Sequence, residues 1–242
     1  TPAPTRMDGP TPTLVPDILL LSDLQALLKR ADAGYPTGSG WVHQVMEMNT
    51  AESIGVLNTD DLPDQPLQTR VEAWYRLDEN GTIKTTIYIH KTLDGKFLSA
   101  DVDNGVYHFS LPEGRGGISP DVYVARPTYD LNLLSTLNSY LAQGGTMSQK
   151  SVLINGISCQ SYEATLLYGS PQVFTGEPAP VQAESYSGCV DPTSGKVLQV
   201  QSRMEYTDGT SRLKTSTHFL LLEKVDVLPD EVQQLLNEII MP

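Results

Sequence analysis

Four runs decide the fold: Ser151–Leu167 (SVLINGISCQSYEATLL), Ala183–Val190 (AESYSGCV), Lys196–Thr207 (KVLQVQSRMEYT) and Thr210–Val227 (TSRLKTSTHFLLLEKVDV). All four read as strands. Ser194-Gly195 and Asp208-Gly209 separate the last three. Short turns with glycine between alternating segments predict antiparallel hairpins.

The only two cysteines, Cys159 and Cys189, fall on the first two runs and set a register. If they lie opposite one another, Ser161 faces Ser187, Glu163 faces Ser185 and Thr165 faces Ala183. The hairpin tip then falls near Phe174, inside the Pro/Gly-rich segment 168–180. Directly opposed residues have Cα separations within disulfide range. The cysteine face is otherwise small and polar, so the bridge is expected on the outer side of the sheet. Closing such a loop stabilises a fold by roughly 3.6 kcal/mol in the chain-entropy model. Two unpaired buried thiols are the alternative, because an isolated pair is weaker evidence than a dense framework.

A chain of 242 residues can bury a full core, and all-β proteins of this size are often one domain. The formal charge of −13 argues against nucleic acid and against anionic membranes as partners, since both want basic patches. The sequence carries no transmembrane run or signal peptide. It opens on Thr1-Pro-Ala-Pro-Thr5 and not on Met, as a fragment or processed form would, which leaves open an anchor or cytoplasmic domain ahead of residue 1. With a disulfide, an extracytoplasmic location is expected, periplasmic or at the cell surface, tethered or secreted.

Outward from the pivot, residues 1–16 read as an extended Pro/Thr-rich linker and 17–242 as a single domain. Ser22-Asp-Leu-Gln25 matches a capping box, with Leu24, Leu27, Leu28 and Ala31 at helical spacing behind it. Ile18–Leu21 either extend that helix backward or pack against it. Strands follow at Trp41–Met48 and Thr69–Leu77, joined by an irregular connection over 49–68. Asn80-Gly81, Asp94-Gly95 and Asn104-Gly105 then punctuate strands Thr82–Lys91, Lys96–Val102 and Val106–Leu111. After an irregular stretch at 114–127, Tyr129–Gln143 returns to helical spacing. Gly144–Lys150 reads as a turn. Pro229, Asp230 and Glu231 open a last helix through Val232, Leu235, Leu236 and Ile239.

Catalytic and metal signatures are missing from the sequence. The histidines (His43, His90, His108, His218) lie on four different strands with no zinc-binding spacing. His43 does not share a strand face with Met46 and Met48, so a soft copper site gives way to pliable apolar lining. The Gly-rich stretches match no phosphate loop, and neither cysteine sits where a nucleophile would. No enzyme activity, cofactor or metal is therefore expected, although distant residues can assemble a hydrolytic site. Trp74, among Arg70, Glu72 and Arg76, either makes a surface contact or packs against a helix.

The element order and three local patterns resemble a known family. These are Gly40-Trp-Val-His-Gln-Val45, the strand Ile154-Asn-Gly-Ile-Ser-Cys-Gln-Ser-Tyr-Glu-Ala164 and the hairpin Val190-Asp-Pro-Thr-Ser-Gly-Lys-Val-Leu198. Together they resemble the half-barrel superfamily of the bacterial lipoprotein carriers LolA and LolB and the sigma-stress regulator RseB. The resemblance implies an α+β, mostly β fold: a strongly curved antiparallel sheet, a half-barrel, round an apolar cavity with a few helices as a lid. It implies one of two functions. The first is a non-enzymatic extracytoplasmic module that binds a lipid or lipoprotein acyl chain. The second is a protein-binding sensor or regulatory ectodomain of a membrane-anchored signalling protein, with an envelope protein as partner. Strands apolar on both sides, as at His218–Leu222, fit a sheet that encloses a space under helices. The expected lining is Met46, Met48, Tyr75, Ile87, Phe109, Leu134, Leu137 and Phe219, between the concave face and the helix Tyr129–Gln143.

Overall fold

The computed structural model describes residues 17–33, 36, 38–50, 67–112, 114–118, 133–154, 156–174 and 177–240. The expected linker at 1–16 lies outside them, as do the middles of both irregular connections. The first half of the chain gives helix α1 (Asp17–Ala33) and strands β1 (Gly40–Thr50), β2 (Leu67–Leu77), β3 (Ile83–Thr92), β4 (Phe97–Asp103), β5 (Tyr107–Leu111) and β6 (Arg115–Ile118). The second half gives helix α2 (Leu133–Ala142), strands β7 (Thr146–Ile154), β8 (Ile157–Gln172), β9 (Val181–Val190), β10 (Val197–Tyr206) and β11 (Ser211–Val225), and helix α3 (Asp230–Ile240).

All eleven strands form one antiparallel sheet in the order β6-β5-β4-β3-β2-β1-β11-β10-β9-β8-β7. Two meanders, β1–β6 and β7–β11, are thus zipped together where β1 meets β11. The sheet is curved but not closed, which makes it a half-barrel with β6 and β7 as its edges.

The pairing registers sort the side chains onto two faces. One, the Tyr162 face, runs Tyr162, Gly188, Val200, Thr217, Met48 and Thr69 across the strands. The other, the Cys189 face, runs Ser161, Cys189, Gln199, His218, Glu47 and Arg70. On the Tyr162 face, α1 and α2 cover β7–β10: Leu20, Leu24, Leu28, Leu133 and Leu137 pack on Met147, Tyr162, Ala164, Val190, Val197 and Val200. At the other end of the sheet, α3 covers the Cys189 face instead. There Leu228 and Val232 pack on Trp74, Ile87, Ile89, Ala100 and Val102. The helices therefore do not form one lid, as the resemblance implied. Ile87, Ile89, Ala100 and Val102 point one way and Tyr162, Ala164, Val190 and Val200 the other, so each end of the sheet needs its own cover.

Two glycines fix the α1–α2 layer. At Gly195 a Cβ would lie 1.9 Å from the carbonyl oxygen of Leu27, and φ is +75°, so only glycine lets α1 rest on the β9–β10 turn. Arg30 closes that contact by donating to the Pro192 carbonyl at 3.0 Å. At Gly188 a Cβ would lie 2.3 Å from a methyl of Leu133, so α2 sits directly on the β9 backbone.

One alternative that the sequence left open is decided, and two expectations change. Helix α1 starts at Asp17, five residues before the capping-box match, so Ile18–Leu21 extend it backward. The Ser151–Leu167 run is two strands, because β7 ends at Ile154 and β8 starts at Ile157 with Gly156 in the turn. As a result Met147–Lys150, read as a turn, belongs to β7. Cys189 lies opposite Ser161, Ser187 opposite Glu163 and Ser185 opposite Thr165, a two-residue displacement from the expected register. The disulfide forms all the same, with Cα atoms 5.7 Å apart, and reaches diagonally across the ladder.

Candidate functional site

The half of the Cys189 face opposite α1 and α2 is polar across six strands. One row, taken from β7 to β1, reads Lys150, Ser161, Cys189, Gln199, His218, Glu47. The next reads Ser148, Glu163, Ser187, Gln201, Ser216, Asn49. Each strand contributes by period-two alternation: β8 sends Tyr162 and Ala164 into the core and Ser161 and Glu163 outward.

No described helix covers these rows, yet Ser161 is only 8% exposed, Ser185 9% and Ser216 4%. Small hydroxyls sunk among longer Lys, Glu, Gln and Arg side chains leave depressions in this face. Two adjoining hollows occupy it. The first, about 310 Å³, is lined by Lys150, Val152, Ile154, Glu163 and Arg203 around a floor of Ser161, Ser185, Ser187, Cys189, Gln199 and Gln201. The second, about 280 Å³, shares Gln201 and continues over Ser216, His218, Glu47, Asn49, Met48, Leu93 and Leu213. The disulfide thus lies in the floor of a trough, on the side away from α1 and α2 but buried.

Hydrogen bonds fix the floor. Gln199 donates from Nε2 to Ser216 Oγ at 3.0 Å and lies 2.8 Å from His218 Nε2, and Gln201 donates to Ser216 Oγ at 3.4 Å. An amide nitrogen only donates, so the Gln199 amide bridges the Ser216 hydroxyl and the His218 ring. Lys150 Nζ lies 3.5 Å from Glu163 at the rim. Hydroxyls, amides and one ion pair can exchange hydrogen bonds with a polar ligand; the histidine–hydroxyl contact of this sheet, His108 Nε2 to Ser110 Oγ at 2.9 Å, lies outside the trough on β5. Among the described residues no three His, Cys, Asp or Glu side chains gather as a metal would require.

The expected cavity lining is split four ways. Leu134 and Leu137 of α2, with Phe219, belong to the core under α1 and α2. That space is occupied by side chains, with Leu133 and Leu137 fully buried. Met46 and Tyr75 lie mid-sheet on the Tyr162 face, where Tyr75 donates to Gln44 at 3.2 Å. Met48, half-buried, reaches the smaller hollow. Ile87 and Phe109 are on the opposite face, each paired across the ladder with Val102. Trp74 packs against α3, in the helix-packed alternative, and stacks on His43 with ring centroids 3.9 Å apart. Burial holds His43 and His90 below the usual histidine range. The trough is built from polar positions, which an apolar-lining expectation does not reach. Their signal was present in the polar alternation Ser161/Glu163, Ser185/Ser187, Gln199/Gln201 and Ser216/His218.

No protein-family model matches the chain, and no curated protein matches it significantly. Solved structures give distant likenesses. A conserved uncharacterised protein of Thermus thermophilus aligns over 86% of this chain and 91% of its own, at 7% identity and a TM-score of 0.40. A domain of an outer-membrane lipoprotein-sorting protein of Vibrio parahaemolyticus aligns over 90% and 97%, at 10% identity and 0.31. A β-barrel-like protein of a domain of unknown function from Brucella abortus aligns over 79% and 100%, at 10% identity and 0.24.

Proposed function

We propose that this chain is a non-catalytic, extracytoplasmic module that binds a partner protein in the polar trough of β7–β11. The observation that carries this reading is the pair of polar rows, hollowed in two places, on a face that no described helix covers. Such a surface can trade hydrogen bonds with a polypeptide and gives an acyl chain little to dissolve in. The disulfide supports an oxidising compartment. This favours the sensor or regulatory role over the lipid carrier. A carrier of acyl chains would need the Leu133–Leu137 layer to leave the sheet, at about 1.5–3 kcal/mol for each large apolar side chain exposed.

A photo-crosslinking residue placed at Ser187, in the trough, and in parallel at Ser139, exposed on α2, tests the reading in the natural host. One discrete protein adduct from position 187 and none from 139 is expected, together with no saturable displacement of a fluorescent fatty acid. Stoichiometric fatty-acid binding without a trough adduct would overturn it in favour of the carrier.

A further inference from the structure

Strand β7 closes one edge of the sheet and the larger hollow opens beside it. All nine of its residues pair with β8 without a bulge, and it contains neither proline nor glycine. The Met147 N–H points away from β8, toward Asp17 Oδ1 at 3.3 Å, which fixes the parity of the strand. By the alternation of an antiparallel ladder, the N–H and C=O of Gln149, Ser151 and Leu153 also point outward. Among the described residues only the Met147 amide has a partner on that side. Edges of this length are usually blunted by charges, bulges or proline, and β7 carries a single charge, Lys150. The opposite edge, β6, is only four residues long.

We propose, resting on the protein-binding reading above, that β7 is the docking strand: an extended segment of the partner adds to it as a twelfth strand. The outward amides supply the affinity, and alternate side chains of the added strand enter the hollow lined by Lys150, Val152 and Ile154. Charge selects what enters. Lys150 and Arg203 stand against one carboxylate, Glu163, so an acidic side chain opposite Lys150 is matched. On the other face of the strand, exposed Leu153 favours an apolar residue. A second copy of this chain is a poorer occupant, because each brings a formal charge of −13.

The test is selection of linear peptides from a random display library on the intact protein, followed by hydrogen exchange and affinity measurement. Selected peptides should carry an acidic residue and protect the amides of Gln149, Ser151 and Leu153 in the wild type. Ser151→Pro removes an outward N–H, keeps the backbone ladder to β8 and gives up only the exposed hydroxyl bond to Gln160; it should weaken binding at least tenfold, and Lys150→Glu should do likewise. Ser187→Trp, which fills the trough, separates the two readings. If Ser187→Trp abolishes binding while Ser151→Pro and the edge amides are unaffected, the edge proposal falls and the trough reading stands. If neither variant matters, or no peptide is selected, both fall. Concentration-dependent dimers lost in Ser151→Pro would replace the peptide with a second copy.

Discussion

Cys189 lies directly opposite Ser161, while its disulfide partner Cys159 sits two residues earlier on β8. The bridge therefore ties the base of the long β8–β9 hairpin obliquely and leaves Ser161 in the trough floor. With a sequence separation of 30, the chain-entropy model gives roughly 3.6 kcal/mol of stabilisation. Cys159→Ala with Cys189→Ala should lower unfolding free energy by about 3–4 kcal/mol in urea titrations. Reduced wild type should match the double variant; an unchanged midpoint on reduction would rule the tie out.

Gly188 and Leu133 make a second, separable test. A Cβ at Gly188 meets a fully buried side chain, so Gly188→Ala should cost about 1–3 kcal/mol by overpacking. Leu133→Ala alone should cost about 2–5 kcal/mol through its cavity. Together they should cost less than their sum by about 1 kcal/mol or more, since the new methyl enters the vacated space. Simple additivity in thermal or urea unfolding would show that α2 does not rest on this glycine.

The strands were legible because alternation and Asn-Gly or Asp-Gly turns are local signals, and β3, β4, β10 and β11 end near the expected residues. The turn at Gly156 was hidden inside a run that continued to alternate on both sides. The cysteine register was misplaced because sequence fixes only the shared face of two cysteines, and a diagonal bridge satisfies that as well as a direct one. Which face each helix covers was not legible at all. It depends on register summed across eleven strands, and the bulges between Val45 and Met46 and between Ser202 and Arg203 change that sum.

Because α1–α2 and α3 cover opposite faces at opposite ends of the sheet, their cores should fail independently. Leu137→Ala should cost about 2–5 kcal/mol and Val232→Ala about 1.5–3 kcal/mol. Both residues are fully buried, in clusters with no shared member. The double variant should equal the sum within about 0.5 kcal/mol. A coupling larger than that, measured by urea unfolding, would mean that the two layers share one core.

Stability should also fall with mild acid, and the two histidines identify the cause. His43 stacks on Trp74 beneath α3, its Nδ1 is 3.5 Å from Glu223, and its Nε2 is buried without a hydrogen-bond partner. Desolvation lowers its pKa most. Glu223 and Glu72 oppose that, Arg70 adds to it, and the net direction is down from 6.5. His90, on the other face, is lowered by burial against the opposing charge of Asp101. Below pH 6.5 the unfolded chain therefore takes up protons that the folded chain refuses, and stability rises with pH across that window. It is fully present above 6.5 and is lost as pH falls from there toward the lower folded values. The aspartates held low by turn hydrogen bonds, such as Asp191 with Ser194, act only below their unfolded value of 3.8. Tyr140, Tyr168 and Tyr206, pushed up to about 12 chiefly by burial, act only in alkali. Between pH 7.5 and 5.5 the urea midpoint should consequently drop, and His43→Gln and His90→Gln should each flatten that slope whatever they do to the stability at pH 7.5. A slope unchanged in both variants would place the proton uptake elsewhere.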